Sequence, residues 1–299
     1  MSAQLSDNQT VYCMTIKRFT RFALFVAVVV SVLFGMTPNV TGQARAEAVK
    51  TTRLYVFDCG FITVADPKSF GLQKEEVVPW IDKISVASFL IVNPKGTLLW
   101  ETGVLPDAQV QPGNPRGITK TLKSQLADIG YSPIDITYLA LSHLHSDHSA
   151  NANDYAGSTW LVRKPERDAM FGDKPYPSAN NPAFYSALKD SKTTIIEGDY
   201  DVFGDGTVVI KPAPGHTPGH QVLFLKLATT GPIVLSGDLY HYPEQIKLNR
   251  FYANNFDTDG VRVSREALEA FMKKTGAQLW IQHDFRANQK LKKSPGYYE

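Results

Sequence analysis

The amino-acid sequence predicts an α+β fold in which sheets form a sandwich covered by helices. Three observations carry that expectation. Short strand-like apolar runs outnumber helical patterns, no repeat or low-complexity linker interrupts them, and polar, ligand-type side chains stand where several runs end.

In chain order, strands are expected at RLYVF (53–57), ASFLIVN (87–93), TLLWET (97–102), ITYLALS (136–142) and STWLVR (158–163). Further strands follow at TTIIE (193–197), TVVIK (207–211), QVLFLKL (221–227), PIVLSG (232–237) and AQLWIQ (277–282). Each is rich in β-branched, aromatic or leucine residues and bounded by turn formers. FGDG (203–206), between YDV and TVVI, reads as a hairpin turn. Helical patterns cover Thr119 to Ile129, Pro165 to Phe171, Pro182 to Lys189 and Ser264 to Lys274. Asn181 caps the third, with Pro182 at the position where a missing N–H costs nothing. Ser264 caps the fourth, and Gly276 stops it. Residues 164–191, with several Pro, Asn and aromatic residues, read as an inserted cap or loop region. Trp100, Trp160 and Trp280 fall in strand patterns and are expected in the core; Trp80, in polar VVPWIDK, is a candidate rim contact.

The N-terminus reads differently. Lys17, Arg18 and Arg21 precede the apolar run FALFVAVVVSVLFGM (22–36), and a polar stretch ends in Ala44-Arg45-Ala46, the small-x-small pattern of a cleavage site. That run is shorter than the roughly 20 residues of a membrane-spanning helix. Residues 1–46 are therefore expected to be a signal peptide cleaved after Ala46, with no permanent membrane anchor and a periplasmic or secreted product of residues 47–299. No Cys follows the apolar run to take a lipid. The expected product has 27 basic and 28 acidic residues, a near-neutral balance that gives no electrostatic case for nucleic acid or an anionic membrane surface. Cys13 leaves with the leader, so Cys59 has no intramolecular disulfide partner and is expected to pack as a small apolar residue.

The densest chemical signal is LSHLHSDHSANA (141–152), which places three of seven histidines and Asp147 within six positions. His143 and His145 lie where an apolar strand emerges into a loop, and extended positions two apart face the same side. Their imidazoles can meet on one ion. Asp147 and His148 lie past the bend and can reach a second point nearby. The same design of apolar strand followed by polar ligand recurs in KPAPGHTPGH with His216, PIVLSGD with Asp238 and LWIQHD with His283. His220 either orients a ligand through a hydrogen bond or is simply structural.

The set H-x-H-x-D-H (143–148), G-H-T-P-G-H (215–220), G-D (237–238) and His283, in that order, resembles the metallo-β-lactamase superfamily across nearly all of residues 47–299. The resemblance implies an αββα sandwich with a binuclear metal site at one sheet edge, usually occupied by zinc. It implies that His143, His145 and His216 hold one divalent ion, that Asp147, His148 and His283 hold a second, and that Asp238 lies between them. Within the superfamily LYVFDCG, FLIVNPKGTLLWETG, the HLHSDH segment and GDLYHYPEQ look most like the N-acyl homoserine lactonase branch. That branch implies hydrolysis of a small-molecule lactone by a metal-bridging hydroxide. Where lactonases of the branch carry a Tyr three positions after the bridging Asp, this chain has His241, flanked by Tyr240 and Tyr242. His241 or a neighbouring Tyr, Tyr240 or Tyr242, is then the expected oxyanion donor, and Asp147 the proton carrier to the leaving ring oxygen. Phe171, Tyr176, Phe184 and Tyr185 are compositional candidates for an acyl groove. A periplasmic metallo-β-lactamase, a phosphotriesterase, or a non-catalytic metal-binding interaction module are the rival expectations.

Overall fold

Alternation along the apolar runs builds two sheets, each with both faces covered. The computed structural model describes residues 48–173, 176 and 180–299, so the expected leader and its cleavage site lie outside the described residues. The first sheet contains β1 (Arg53–Thr63), β2 (Lys83–Asn93), β3 (Gly96–Trp100), β4 (Tyr138–Ala140), β5 (Thr159–Val162) and β6 (Thr193–Ile195). The second contains β7 (Tyr200–Asp201), β8 (Val208–Pro212), β9 (Gln221–Leu227), β10 (Gly231–Leu235) and β11 (Gln278–Trp280), while β12 (Tyr297–Tyr298) returns to pair with β1. Strand order is 12-1-2-3-4-5-6 in one sheet and 11-10-9-8-7 in the other.

Along β2, Ala87, Phe89 and Ile91 point into the space between the sheets, while Val86, Leu90 and Val92 point to the outer layer. From the second sheet Leu223, Leu225, Ile233 and Leu235 close the inner layer. Period-two side chains on a strand buried on both faces give this near-continuous apolar reading. Helices α1 (Leu122–Ala127), α2 (Ser146–Ser149) and α3 (Lys164–Phe171) follow strands of the first sheet. Helices α4 (Pro243–Leu248), α5 (Thr258–Thr275) and α6 (Phe285–Asn288) belong to the second half of the chain. Leu268 and Val261 of α5 pack on Val222, Phe224 and Val234 of the second sheet, and Leu122, Leu126 and Met170 cover the outer face of the first. The layers run helix, sheet, sheet, helix. The described residues belong to one compact unit, Gln43–Glu299, and none of their helices is long and apolar enough to cross a membrane.

All ten expected strands form, although the runs at 136–142 and 277–282 are trimmed to β4 and β11 because the chain turns to deliver polar residues. The FGDG hairpin is present, with both Asp201 carboxylate oxygens accepting backbone N–H groups from Gly204 and Gly206. Three expectations need correction. The fourth helix starts at Thr258, not Ser264, whose hydroxyl instead donates to the Pro214 carbonyl at 2.7 Å. The pattern at 182–189 forms two 3-10 turns, Pro182–Phe184 and Ser186–Asp190, because Tyr185 between them leaves helical geometry (φ −128, ψ 10) to bury its ring. Trp80 packs with Phe70, Leu72 and Val77 under the ammonium of Lys74 and does not line the central cavity. Trp100 and Trp160 are in the core as expected, and Trp280 is half-buried against it.

Candidate metal centre

Strand ends from both sheets deliver the polar residues to one edge. The chain after β4 runs through His143 and His145 into α2, which carries Asp147 and His148; the β8–β9 loop carries His216; the exits of β10 and β11 carry Asp238 and His283. All seven converge. His145 Nδ1 lies 2.9 Å from His143 Nε2 and 3.1 Å from His216 Nε2. Asp238 Oδ2 faces this trio, 3.5 Å from His143 Nε2 and 3.2 Å from His216 Nε2. Its Oδ1 faces the other set, 3.1 Å from His148 Nε2 and 2.9 Å from His283 Nε2. Asp147 Oδ2 lies 3.5 Å from each of those two nitrogens. Donor atoms thus gather into His143–His145–His216–Asp238 and Asp147–His148–His283, and a third group, Asp238–His241–His283, overlaps both.

The outer ring nitrogens fix which way the lone pairs point. His283 Nδ1 lies 2.8 Å from the Ser85 carbonyl, an oxygen that can only accept, so Nδ1 carries the proton and a neutral ring presents a bare Nε2 to Asp238. His216 Nδ1 meets Asn255 Oδ1 at 3.0 Å, and His143 Nδ1 meets Ser142 Oγ at 2.9 Å. His148 Nε2 and Asp238 Oδ1 are buried without a hydrogen bond despite their proximity. Lone pairs facing lone pairs in a dry site repel unless a proton or a cation lies between them. Burial pushes His143 well below the ordinary imidazole range and His145 down to about 3, so these rings stay neutral. Burial opposes charge on His148 and His283 too, but the Asp238 and Asp147 carboxylates outweigh it and raise both. The cluster asks for positive charge at its centre.

Several supporting residues were not legible in the sequence. Glu101, fully buried beneath the site at φ 65, accepts the Ser142 N–H and lies 3.3 Å from His148 Nδ1. A left-handed non-glycine residue of this kind costs free energy, and it is held by its surroundings. Gln282 accepts from Trp100 Nε1 and Gly237 N–H and donates to Glu101, tying both sheets together below the ligands. His220 is fully buried, donates to the Ala213 carbonyl, and accepts the Asp238 N–H at 2.9 Å. It therefore touches the backbone of the central carboxylate, the orienting alternative of the two expected.

The two flanking candidates separate. After the 3-10 turn Gly237–Leu239 the chain is extended, so Tyr240 and His241 face opposite sides. His241 lines the cavity, with Nε2 at 3.1 Å from Asp238 Oδ2; burial pushes its pKa down to about 4, leaving a neutral ring. Tyr240 turns away and donates to Glu269 of α5 at 2.9 Å, so it is excluded as a catalytic candidate.

The cavity over these donor groups holds about 240 Å³. Its apolar wall comes from Ile62, Val64, Phe70, Ile84 and Val104, with Arg116, Ser146 and Tyr252 completing the lining. The expected groove residues are elsewhere. Phe171 and Tyr185 pack edge-on in the outer core, Phe184 packs against the same cluster, and only Tyr176 approaches the site, 6.3 Å from the His145 ring. Aromatic composition in the insert gave no information on which side faces the cavity.

Comparison with known proteins agrees with this geometry. Residues 81–277 match the family described as the metallo-beta-lactamase superfamily. The chain is 30% identical over 239 residues to the N-acyl homoserine lactonase AttM of Azorhizobium caulinodans, covering 73% of this chain and 88% of that protein. It is 28% identical over 226 residues to the N-acyl homoserine lactonase AiiA of Bacillus thuringiensis subsp. kurstaki, covering 72% and 87%. A solved structure of a quorum-quenching N-acyl homoserine lactone lactonase superposes with a TM-score of 0.67 at 25% identity, covering 84% of this chain and all of the other.

Proposed function

The chain belongs to the metallo-beta-lactamase superfamily, and from that membership we propose that it is a metal-dependent hydrolase that opens the ring of N-acyl homoserine lactones. The observation that carries the reading is Asp238, whose two oxygens each face a separate set of buried histidine nitrogens. The relatives AttM and AiiA, named as N-acyl homoserine lactonases, support the substrate class.

The residues fit two divalent ions. His143, His145 and His216 would hold one, Asp147, His148 and His283 the other, and Asp238 would reach both. A donor set of imidazole nitrogens and carboxylate oxygens without thiolate suits zinc. When bound, two such ions supply a hydroxide nucleophile from water near neutral pH and polarise an ester carbonyl.

The protein's own part is positioning and proton management. Ile62, Val64, Phe70, Ile84 and Val104 provide the apolar wall against which the acyl chain lies. His241 lines the cavity with its Nε2 3.1 Å from Asp238 Oδ2; with Asp238 engaged by the ions, its N–H would be free to donate to the carbonyl oxygen as negative charge develops there. Asp147 takes the proton released by the attacking water and returns it to the ring oxygen as the C–O bond breaks. The product is a ring-opened hydroxy acid. The basic-flanked apolar run and Ala44-Arg45-Ala46 support export with cleavage after Ala46, which N-terminal sequencing of the exported chain tests.

The deciding experiment follows acid release from a series of acyl homoserine lactones in weak buffer, with a metal-stripped control. Metal-dependent release is the expected result. No release from protein shown to carry its ions would overturn the lactone assignment and direct attention to β-lactam or phosphotriester substrates.

A further inference from the structure

One buried carboxylate outside the ligand set touches both loops that carry the first group of histidines. Glu166, in the first turn of α3, is 3% exposed, and no basic side chain pairs with it among the described residues. Its Oε1 accepts the Leu144 N–H at 2.7 Å, and its Oε2 accepts the Gly219 N–H at 2.8 Å. The Thr217 hydroxyl donates across both oxygens, at 3.0 and 2.8 Å. Leu144 stands between His143 and His145, Thr217 follows His216, and Gly219 precedes His220.

We propose that Glu166 is the positioning residue of the first ion-binding group, its carboxylate locking the 143–145 loop against the 216–220 loop so that three imidazole nitrogens meet. This rests on the metal reading above. A buried carboxylate is costly unless its oxygens are satisfied, and every donor that satisfies this one belongs to a ligand-bearing loop. The approach is as close as the backbone permits: a Cβ on Gly219 would lie 2.5 Å from the Glu166 nitrogen. None of these contacts reaches Asp147, His148 or His283, and His148 is held separately by Glu101. Loss of Glu166 should therefore loosen one ion and spare the other, because partners that orient ligands change ion affinity by about 10- to 100-fold.

The test is a cobalt(II) titration of wild type, Glu166→Ala, Glu166→Gln and Thr217→Val, read by visible absorption and by competition with a chelator. Wild type is expected to take up two equivalents. Glu166→Ala should keep one tight and weaken the other by about tenfold or more, with an altered cobalt spectrum. Glu166→Gln should fall between, since one amide oxygen still accepts, and Thr217→Val should shift the same equivalent by less. Unchanged affinities in folded Glu166→Ala, or equal loosening of both equivalents, would overturn the proposal. If Glu166→Ala does not fold, unchanged cobalt binding in Thr217→Val overturns it instead. Wild type that binds no cobalt would overturn the metal reading itself and this inference with it, an outcome separate from failure of lactone hydrolysis by ion-loaded protein.

Discussion

Asp238 and His241 are three positions apart and face the same space, yet their removal should have different consequences. Asp238 contributes an oxygen to each donor group, so Asp238→Ala should lose both retained ions and activity, measured by elemental analysis beside turnover. His241→Ala should lower turnover by about tenfold or more if its N–H stabilises the oxyanion, while ion content stays at the wild-type level. Unchanged turnover would move the donor role to another cavity residue, with Tyr252 next in place. Cys59 is the opposite case, a reactive side chain made inert by position. It is buried against Ser88, and burial pushes its thiol up to about 12. The folded chain therefore keeps the proton that the unfolded chain releases near pH 9. Stability should fall as pH rises from 8 to 10, and a disulfide reagent at pH 8 should label Cys59 only after unfolding.

At the level of the element, the turn after β10 determines where the central carboxylate lies. Gly237 has φ 49, and a Cβ there would come within 2.6 Å of His220 Nε2 and 2.8 Å of Ser142 Cβ. Arg265 of α5 holds the other side, donating to the Leu239 and Arg250 carbonyls with its guanidinium 4.3 Å from the Tyr240 ring centre. Gly237→Ala should therefore destabilise the metal-free chain by about 2 kcal/mol through backbone strain and contact, measured by urea unfolding, and should also weaken ion retention. A neutral result would mean that the turn yields without moving Asp238. The long helix α5 thus has a local duty beyond covering the sheet.

Across the whole molecule, the site exists only when both sheets are in place. His143, His145, Asp147 and His148 follow a strand of the first sheet, whereas His216, Asp238 and His283 come from the second. The Trp100–Gln282–Glu101 hydrogen bonds and the His283–Ser85 contacts join the two beneath the cavity. Ion binding and folding are then linked, because the unfolded chain has no preformed site. Ligand at about a thousandfold above its Kd adds roughly 4 kcal/mol, and for a domain of this size that is on the order of 10 °C in Tm. Chelation should lower the melting temperature by about that much. An unchanged Tm after demonstrated ion loss would mean that protons alone satisfy the cluster.

The sequence by itself determined the ten longer strands of the described residues, the order of the ligand-bearing loops and the identity of the seven convergent residues, because period-two burial and polar residues at strand exits are local signals. It also singled out His241 by position. What it left open was direction. Tyr240 and His241 differ only in which side of an extended segment they occupy, and the turn at Gly237 together with the packing of α5 set that choice. Glu101, Glu166 and Gln282 are ordinary polar residues in the sequence, and they acquire their roles from partners 22 to 182 positions away. The cavity wall likewise comes from the end of β1, from β2, the Pro67–Phe70 turn and the loop after β3 rather than the aromatic insert, because sheet packing decides which apolar side chains remain facing the site.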